Sequence, residues 1–316
     1  MALAATGEVA AWAHEADGVV FASLAEREVL WWCRDGGLEE ASAVVRVALE
    51  PDGRCACATA DGTIYALAPH LRGATREWRC VARTSELTAN PATWLAFDVA
   101  RDGRVLVATA NKLEVLAPTL VKDKPVEDHG LALGAAALAP SGRCLAAASE
   151  NRLVAWHREE GWQPVALHHD CNRGYDTLAW TSTHRELLLA GCADGAVRML
   201  VLARKGRDGP LALEPWASVR EPGPGLLAAT WVLSNDAAAR VCVAFETDGR
   251  LEAEIRCIDA GVESDDAFAA RVRPGDEPAV EAAFALAMPS SGVATVVALD
   301  AHRVVIVARD AAASVY

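Results

Sequence analysis

Residues 55–67 read CACATADGTIYAL and contain the pattern that decides the fold, two short apolar runs separated by a tight polar turn. The same phrase, a small residue followed by a spacer and then Asp or Asn, recurs along the chain. Its copies end at Asp61, Asn111, Asn151 and Asp194, and the residue five positions beyond each is apolar: Ala66, Leu116, Trp156 and Met199. Such self-similarity indicates a repeat architecture, in which each repeat buries its apolar face against its neighbours.

Each repeat is predicted to consist of short β-strands, because turn residues separate the apolar runs. Gly supplies the positive φ that tight turns require, and Asp or Asn tolerates it. The second to fifth repeats place strands at residues 44–49, 55–59 and 63–67, at 92–97, 105–109 and 113–116, at 134–138, 144–149 and 153–156, and at 175–180, 187–192 and 196–202. No segment shows convincing helical periodicity.

Weaker repeats complete the count. A first is predicted from strands at 8–14, 19–23 and 28–32, a sixth at 226–232, 241–245 and 251–258, and a seventh at 280–286, 295–299 and 303–308. Outer fourth strands are expected at 77–81, 164–168, 215–219 and 267–272. Seven repeats in 316 residues give about 45 residues each, which predicts an all-β, seven-bladed β-propeller of four-stranded antiparallel blades. We expect one domain, residues 1–316, whose last blade is completed by residues 2–5 or 313–316.

The fourth repeat resembles the WD-repeat (WD40) family through Asp128-His129, Ser149, Asn151 and Trp156. In that family a His, a Ser or Thr and a Trp form a hydrogen-bonded chain, with an Asp in the intervening turn. The resemblance implies such a chain through His129, Ser149 and Trp156, with Asn151 in place of the Asp. Outside this repeat the pattern is weaker, since no Trp-Asp dipeptide occurs in the chain.

The resemblance also implies a function, because WD-repeat domains are mostly interaction platforms. We therefore expect a non-catalytic protein–protein interaction scaffold, a subunit or adaptor of a multiprotein complex. The loop before the innermost strand of the fifth repeat is lengthened around residues 171–174. Its rim is the predicted protein-binding surface, formed by His169, Arg173 and Tyr175 together with Arg46, because Arg and Tyr are enriched at interface hot spots.

Two other functions stay open at this point. Residues 58–67, followed by Trp78, are similar to one repeat of the pyrroloquinoline-quinone-type propellers, which favours a cofactor-binding or enzymatic propeller as the alternative. Phosphoinositide binding would need paired basic residues before a glycine, and Leu71-Arg72-Gly73 supplies half of that pattern. We predict no cofactor, no metal site and no enzymatic activity, since His168-His169-Asp170-Cys171 lacks a second ligand cluster and no catalytic motif is found.

Composition restricts the partners. The net charge of −13 argues against nucleic acid and anionic membranes, which require clustered Lys and Arg, and favours protein partners with basic segments. Nine cysteines, an odd number, are scattered singly or in short pairs, which indicates a reducing compartment. The sequence shows neither a secretory signal nor an apolar run long enough to span a membrane. We therefore expect a cytoplasmic or nuclear protein.

Overall fold

The computed structural model describes residues 3–6, 9–14, 18–23, 28–32, 38, 43–50, 52–72, 75–85, 90–123, 132–149, 152–167, 174–181, 186–204, 210–220, 222–223, 225–232, 239–258, 279–287, 293–300, 303–308 and 313–315. Over these residues the chain is built almost entirely from β-strands. The one helical element among them is a 3₁₀ turn at Pro91–Thr93. This turn occupies part of the segment 92–97 predicted as a strand, and the strand there begins only at Ala96.

The first three sheets follow the chain order. The first contains β1 (Leu3–Thr6), β2 (Val9–His14), β3 (Gly18–Ser23) and β4 (Glu28–Trp32). The second contains β5 (Val44–Leu49), β6 (Cys55–Thr59), β7 (Ile64–Arg72) and β8 (Thr75–Thr84). The third contains β9 (Ala96–Val99), β10 (Val105–Thr109) and β11 (Lys112–Leu116). Sequence neighbours pair antiparallel throughout these sheets.

An eight-stranded sheet contains the fourth and fifth repeats. Its strands are β12 (Ala135–Leu138), β13 (Cys144–Ala148), β14 (Leu153–Arg158), β15 (Trp162–Leu167), β16 (Tyr175–Trp180), β17 (Leu187–Cys192), β18 (Val197–Arg204) and β19 (Leu211–Arg220). The spatial order is β12-β13-β14-β15-β19-β18-β17-β16. Two groups of four strands are thus joined at their outer strands, where β15 and β19 pair in parallel through Ala166 with Ala212 and Leu167 with Leu213.

The remaining strands form two sheets. One contains β20 (Leu226–Val232), β21 (Ala239–Thr247), β22 (Arg250–Ile258) and β23 (Ala279–Ala287), and the other β24 (Val293–Asp300), β25 (Arg303–Ala308) and β26 (Ala313–Val315). The described strands therefore form seven groups of three or four when the eight-stranded sheet counts as two. This grouping is consistent with seven blades, and the number of blades stays a prediction.

The predicted strand positions are wrong in the first and last repeats. Residues 280–286 were expected to be the innermost strand of the seventh repeat, but β23 pairs with β22 and is the fourth strand of the sixth. Residues 2–5 were a candidate to complete the last blade, whereas β1 pairs with β2. Consequently residues 8–14 hold the second strand of the first repeat and not its first. The other candidate for completing the last blade, residues 313–316, is supported, because β26 pairs with β25 in the last sheet.

The chain divides into two compact units. The N-terminal unit contains residues 1–145 and 157–163, and the C-terminal unit contains residues 146–156 and 164–316. The single-domain expectation stays a prediction.

In the N-terminal unit the second sheet is buried on both faces, since all five residues of β6 are buried. Cys55 and Cys57 on one face pack with the first sheet, and Ala56 and Ala58 on the other face pack with the third. Alternation along a strand sends successive side chains to opposite faces, so two small-residue pairs serve two interfaces. Cys55 and Cys57 therefore act as small core residues between two sheets.

In the C-terminal unit an apolar cluster joins β17, β18 and β19 to β20 and β21. It contains Leu187, Leu189, Val197, Met199, Trp216, Val219, Ala229, Val241 and Val243. Face-to-face packing of twisted sheets thus supplies the core here as well.

Candidate interaction surface

The structure describes two of the four predicted rim residues, Arg46 and Tyr175. Arg46 is half-buried and donates hydrogen bonds from Nε to the Pro91 carbonyl and from Nη2 to the Trp94 carbonyl, both at 3.2 Å. This gives Arg46 a structural role, tying β5 to the 3₁₀ turn of the next repeat. His169 and Arg173 lie outside the described residues, and a binding role for them and for Arg46 stays a prediction.

The expectation that Tyr175 is accessible is wrong. Its side chain is only 3% exposed. Tyr175 begins β16 opposite Cys192, which is also buried. Strand alternation turns this ring to a packed face, so Tyr175 offers no contact area to a partner.

The predicted hydrogen-bonded chain of the fourth repeat is only partly described, because His129 and Asn151 lie outside the described residues. Trp156 is 4% exposed, as expected for a core indole. The Ser149 hydroxyl donates to the Arg152 carbonyl at 3.5 Å. The second repeat shows what the turn phrase does when complete: Thr59 Oγ1 donates to Asp61 Oδ1 at 2.6 Å, and the same oxygen accepts from the Thr63 N–H at 3.0 Å. The chain through His129 and Trp156 stays a prediction.

A surface that sequence reasoning missed is formed by three equivalent turns of the N-terminal unit, residues 50–54, 100–104 and 139–143, which we call the turn row. In each, a Gly N–H donates at 2.8 Å to the carbonyl three residues earlier, as at Gly53 and Glu50. In each turn the side chain of the residue before the Gly accepts a hydrogen bond from the backbone N–H of the Arg after the Gly. Backbone N–H groups of Arg54, Arg104 and Arg143 donate to Asp52, Asp102 and Ser141 at 2.9, 3.1 and 3.1 Å. The repeated Gly-Arg dipeptide was the signal available in the sequence.

The three turns contact one another in order. The Arg101 N–H donates to the Pro140 carbonyl at 2.8 Å. A Cβ on Gly142 would lie 2.5 Å from Asp102 Oδ2, which shows how closely the neighbouring turn approaches, and the φ of +71° favours glycine there. Short turns cross-linked in this way hold their side chains in fixed positions.

Ion pairs extend the turn row. Asp123 Oδ2 lies 3.2 Å from Nε of both Arg104 and Arg158, and Arg104 also contacts Asp102. Other charged groups remain accessible: Asp52 and Arg54 pair at 3.1 Å with side chains 41% and 43% exposed. Exposed pairs of this kind add little to stability, so their accessible charge is available to a partner.

Two acidic side chains at the turn row are withdrawn from solvent, Glu50 being buried and Asp98 half-buried. Glu50 is 7% exposed, and its Oε2 has no hydrogen-bond partner; the nearest cation is Arg101, whose Nε is 3.8 Å away. Burial raises the pKa of Glu50 to about 8 against the opposing effect of Arg101. Burial also raises the pKa of Asp98 to about 6, although the Leu138 N–H donates to its Oδ2 at 3.0 Å. Glu50 is therefore mostly protonated at neutral pH and leaves the turn row more basic than its sequence suggests.

Beside the turn row the β7–β8 hairpin extends beyond β6. The last cross-strand partner of β6 is Leu67, opposite Cys55, whereas β7 and β8 continue to pair as far as Arg72 and Thr75. We call residues 68–72 and 75–79 the arginine arm. Because β7 runs parallel to β5, the arm leaves the sheet at the end where the turn row begins. The sequence predicted strands at 63–67 and 77–81 and therefore missed this extension.

Trp78 anchors the arm. Its indole is fully buried, donates from Nε1 to the Gly53 carbonyl at 2.7 Å, and stacks on Phe21 with ring centroids 4.1 Å apart. A Cβ on Gly53 would lie 3.4 Å from Pro69, so the arm and the turn are in direct contact. Trp78 also followed residues 58–67 in the quinone-type resemblance, and here it contacts the Gly53 carbonyl and the Phe21 ring.

Other kinds of site have little support among the described residues. They contain no group of three or more His, Cys, Asp or Glu arranged to hold a metal ion. Within the same residues no helix is long and apolar enough to cross a membrane. The cysteines whose side chains the structure describes, Cys55, Cys57, Cys80, Cys144, Cys192 and Cys242, are all unbridged.

Comparison with known proteins bears on the fold. No protein-family model matches the sequence, and no curated protein is similar to it. A chain in a crystal structure of the mitotic checkpoint complex aligns with a TM-score of 0.60 at 12% identity, covering 99% of this chain and 85% of that one. A computationally designed protein aligns with a TM-score of 0.55 at 15% identity, over 99% and 82%. At these identities the likeness shows the fold alone, and the fold is an all-β propeller of four-stranded antiparallel blades.

Proposed function

We propose that this propeller is a non-catalytic protein–protein interaction scaffold, a subunit or adaptor of a multiprotein complex. The observation that carries the proposal is the turn row, where charged side chains of three successive repeats are exposed on cross-linked turns. Rigid placement lowers the entropy lost when a partner binds, which is how scaffold surfaces gain affinity without large rearrangement. The similar chain of the mitotic checkpoint complex belongs to a multiprotein assembly, which agrees with such a role.

The cellular compartment belongs to the same proposal. Unbridged cysteines in the strand interiors suit the reducing cytoplasm or nucleus. The net negative charge of this chain as a whole favours partners that carry basic segments. Neither nucleic acid nor a membrane is proposed as a partner.

Affinity purification of the tagged protein from its native source, followed by mass spectrometry, tests the proposal. We expect partners that stay in constant ratio to the protein through size-exclusion chromatography. The variant Arg54→Ala with Arg101→Ala and Arg143→Ala should lose at least one of them, while Arg173→Ala reports separately on the predicted rim. A wild-type protein that always elutes alone would contradict the proposal.

The cofactor-binding alternative has a direct check. A bound quinone absorbs visible or near-ultraviolet light beyond the protein band, so the spectrum of protein purified from its native source distinguishes the two functions. We expect no such band.

A further inference from the structure

We infer that the arginine arm, together with the adjoining turn row, binds an acidic extended segment of a partner protein. The inference rests on the proposed scaffold function and names the chemistry of one partner. Its starting point is a local reversal of charge, a basic projection on a chain whose net charge is −13.

The arm carries three arginines against one carboxylate. Arg72 is 75% exposed and Arg79 is 54% exposed, and both contact Glu77, at 3.7 and 3.3 Å. The Glu77 side chain is only 11% exposed. One inward carboxylate cannot neutralise two outward guanidinium groups, and Arg76 is exposed as well.

Arg76 lies near the ring that anchors the arm. Its guanidinium lies 6.0 Å from the ring centroid of Trp78, the residue that anchors the arm. An aromatic face orients a guanidinium while leaving its N–H groups available to an acceptor. The planar fork of Arg suits bidentate contact with a carboxylate, which is the geometry that an acidic side chain offers.

The adjoining turn row continues the basic surface. Arg54 is 43% exposed, and the exposed Arg143 follows two turns further along. Leu71, at the tip of the arm, is 70% exposed, which adds apolar contact area beside the cations. A segment that carries carboxylates and an occasional apolar side chain therefore fits the arm best.

One feature favours a peptide over other polyanions. Asp52 and Asp102 lie among the arginines, and a phosphate backbone or a lipid surface, whose charges are continuous, would meet these carboxylates together with the cations. An acidic side chain of a peptide can instead be placed opposite one arginine at a time.

The experiment uses the full chain and a fluorescein-labelled peptide rich in Glu and Asp, about ten residues long, enough to follow the arm at about 3.3 Å per residue. Matched peptides of the same length rich in Gln or in Lys serve as the neutral and the positively charged control. Fluorescence anisotropy is measured for the wild type, for Arg72→Glu with Arg76→Glu, and for a control, Arg152→Glu with Arg250→Glu. The control reverses two other exposed arginines, which lie outside the arm and the turn row.

We expect the wild type and the control to bind the acidic peptide at least about tenfold more tightly than the Gln-rich peptide. The arm variant should lose that preference, and added salt should weaken wild-type binding because the charges are exposed. Circular dichroism checks that each variant is folded. Should the reversal prevent folding, Arg72→Gln with Arg76→Gln replaces it, with a smaller expected loss.

Equal binding of the acidic peptide by the wild type and the arm variant would overturn the inference, as would absence of a preference over the Gln-rich peptide. Arm-dependent binding that is tighter for phosphatidylserine vesicles or single-stranded DNA would assign the arm to a lipid or a nucleic acid instead. Arm-dependent self-association in size-exclusion chromatography would assign it to a second copy. These outcomes leave the scaffold proposal standing if partners still co-purify, whereas peptide binding without any co-purifying protein would contradict the scaffold and not the arm.

Discussion

The outer strand of the second sheet and the outer strands of the eight-stranded sheet end their blades in opposite ways. β15 and β19 pair with each other, and Leu213 at that junction is fully buried. Among the described strands nothing pairs with the outer edge of β8, which carries the arginine arm. An unpaired edge exposes backbone N–H and C=O groups, so a protein must either pair it or protect it.

β8 shows two protective features. Its pairing with β7 shifts register between Ala66 and Leu67, which leaves Val81 as an extra residue that is 63% exposed. A bulge disrupts the regular ladder that another strand would need, and charged side chains along the edge repel like edges. One edge is thus closed by contacts that stabilise the fold, whereas the other stays accessible and carries side chains that contribute little to stability.

The largest expected effect is at the anchor of the accessible edge. Trp78→Ala removes a fully buried indole, its stacking on Phe21 and its hydrogen bond to Gly53, so we expect a loss of about 3–5 kcal/mol in the free energy of unfolding. Trp78→Phe, which retains a ring but no donor, should cost less. Urea unfolding measures both, and an alanine variant as stable as the wild type would show that the arm is not anchored through Trp78.

A pair of leucines tests the contrast between the two edges directly. Leu213→Ala at the closed junction should cost about 2–5 kcal/mol, because it opens a cavity in a packed site. Leu71→Ala at the tip of the arm is the matched control and should change stability by less than about 0.5 kcal/mol, since that side chain is 70% exposed. Similar costs at the two positions would remove the distinction between a closed and an accessible edge.

Glu50 makes the stability of the turn row depend on pH. Its pKa rises from 4.5 to about 8 on folding, so the folded state binds more protons between these values, and stability falls as pH rises through them. Glu50→Gln removes the titration. We expect wild-type stability to fall relative to the variant by at most about 1.4 kcal/mol per pH unit between about pH 6.5 and 8.5.

This interval lies above the pKa of Asp98, about 6, so that carboxyl contributes little to the slope. Thermal unfolding across a series of buffers measures the slope. Parallel profiles for the wild type and the variant would show that Glu50 is ionised in both states.

Trp156 tests the fourth repeat as Trp78 tests the second. Trp156→Phe retains most of the buried ring and removes the indole donor, which should cost about 1–3 kcal/mol if the hydrogen-bonded chain forms. Thermal melting compares the variant with the wild type. Identical melting temperatures would show that the hydrogen-bonded chain through His129 and Ser149 does not form.

A small effect is expected from the charge reversal on the arm. Arg72→Glu with Arg76→Glu should change the free energy of unfolding by less than about 1 kcal/mol, because exposed ion pairs contribute little. Urea unfolding of this variant beside Arg152→Glu with Arg250→Glu provides the measurement. A large loss in the arm variant alone would make the arm a structural element.

Several strands agree with the sequence prediction residue for residue, among them β5, β6, β10, β16, β17 and β20. These strands are bounded by turn glycines or polar residues whose conformational requirements are local. The strand at residues 280–286 was found but assigned to the wrong sheet, because alternation identifies a strand without saying which edge it joins. Likewise Arg46 and Tyr175 were expected on a rim, yet Arg46 donates hydrogen bonds to backbone carbonyls and Tyr175 is buried.

By itself the sequence determined what local chemistry controls: an all-β chain, the tight turns at residues 61–62 and 194–195, and the alternation that buries both faces of β6. Tertiary structure alone decided which strands share a sheet, how far the arm projects, and that the outer edges of two blades pair while a third stays accessible. It also decided that Glu50 is buried beside Arg101. The physical reason is that strand pairing, desolvation and contact between successive turns join residues far apart in the chain, and no short stretch of sequence contains both partners.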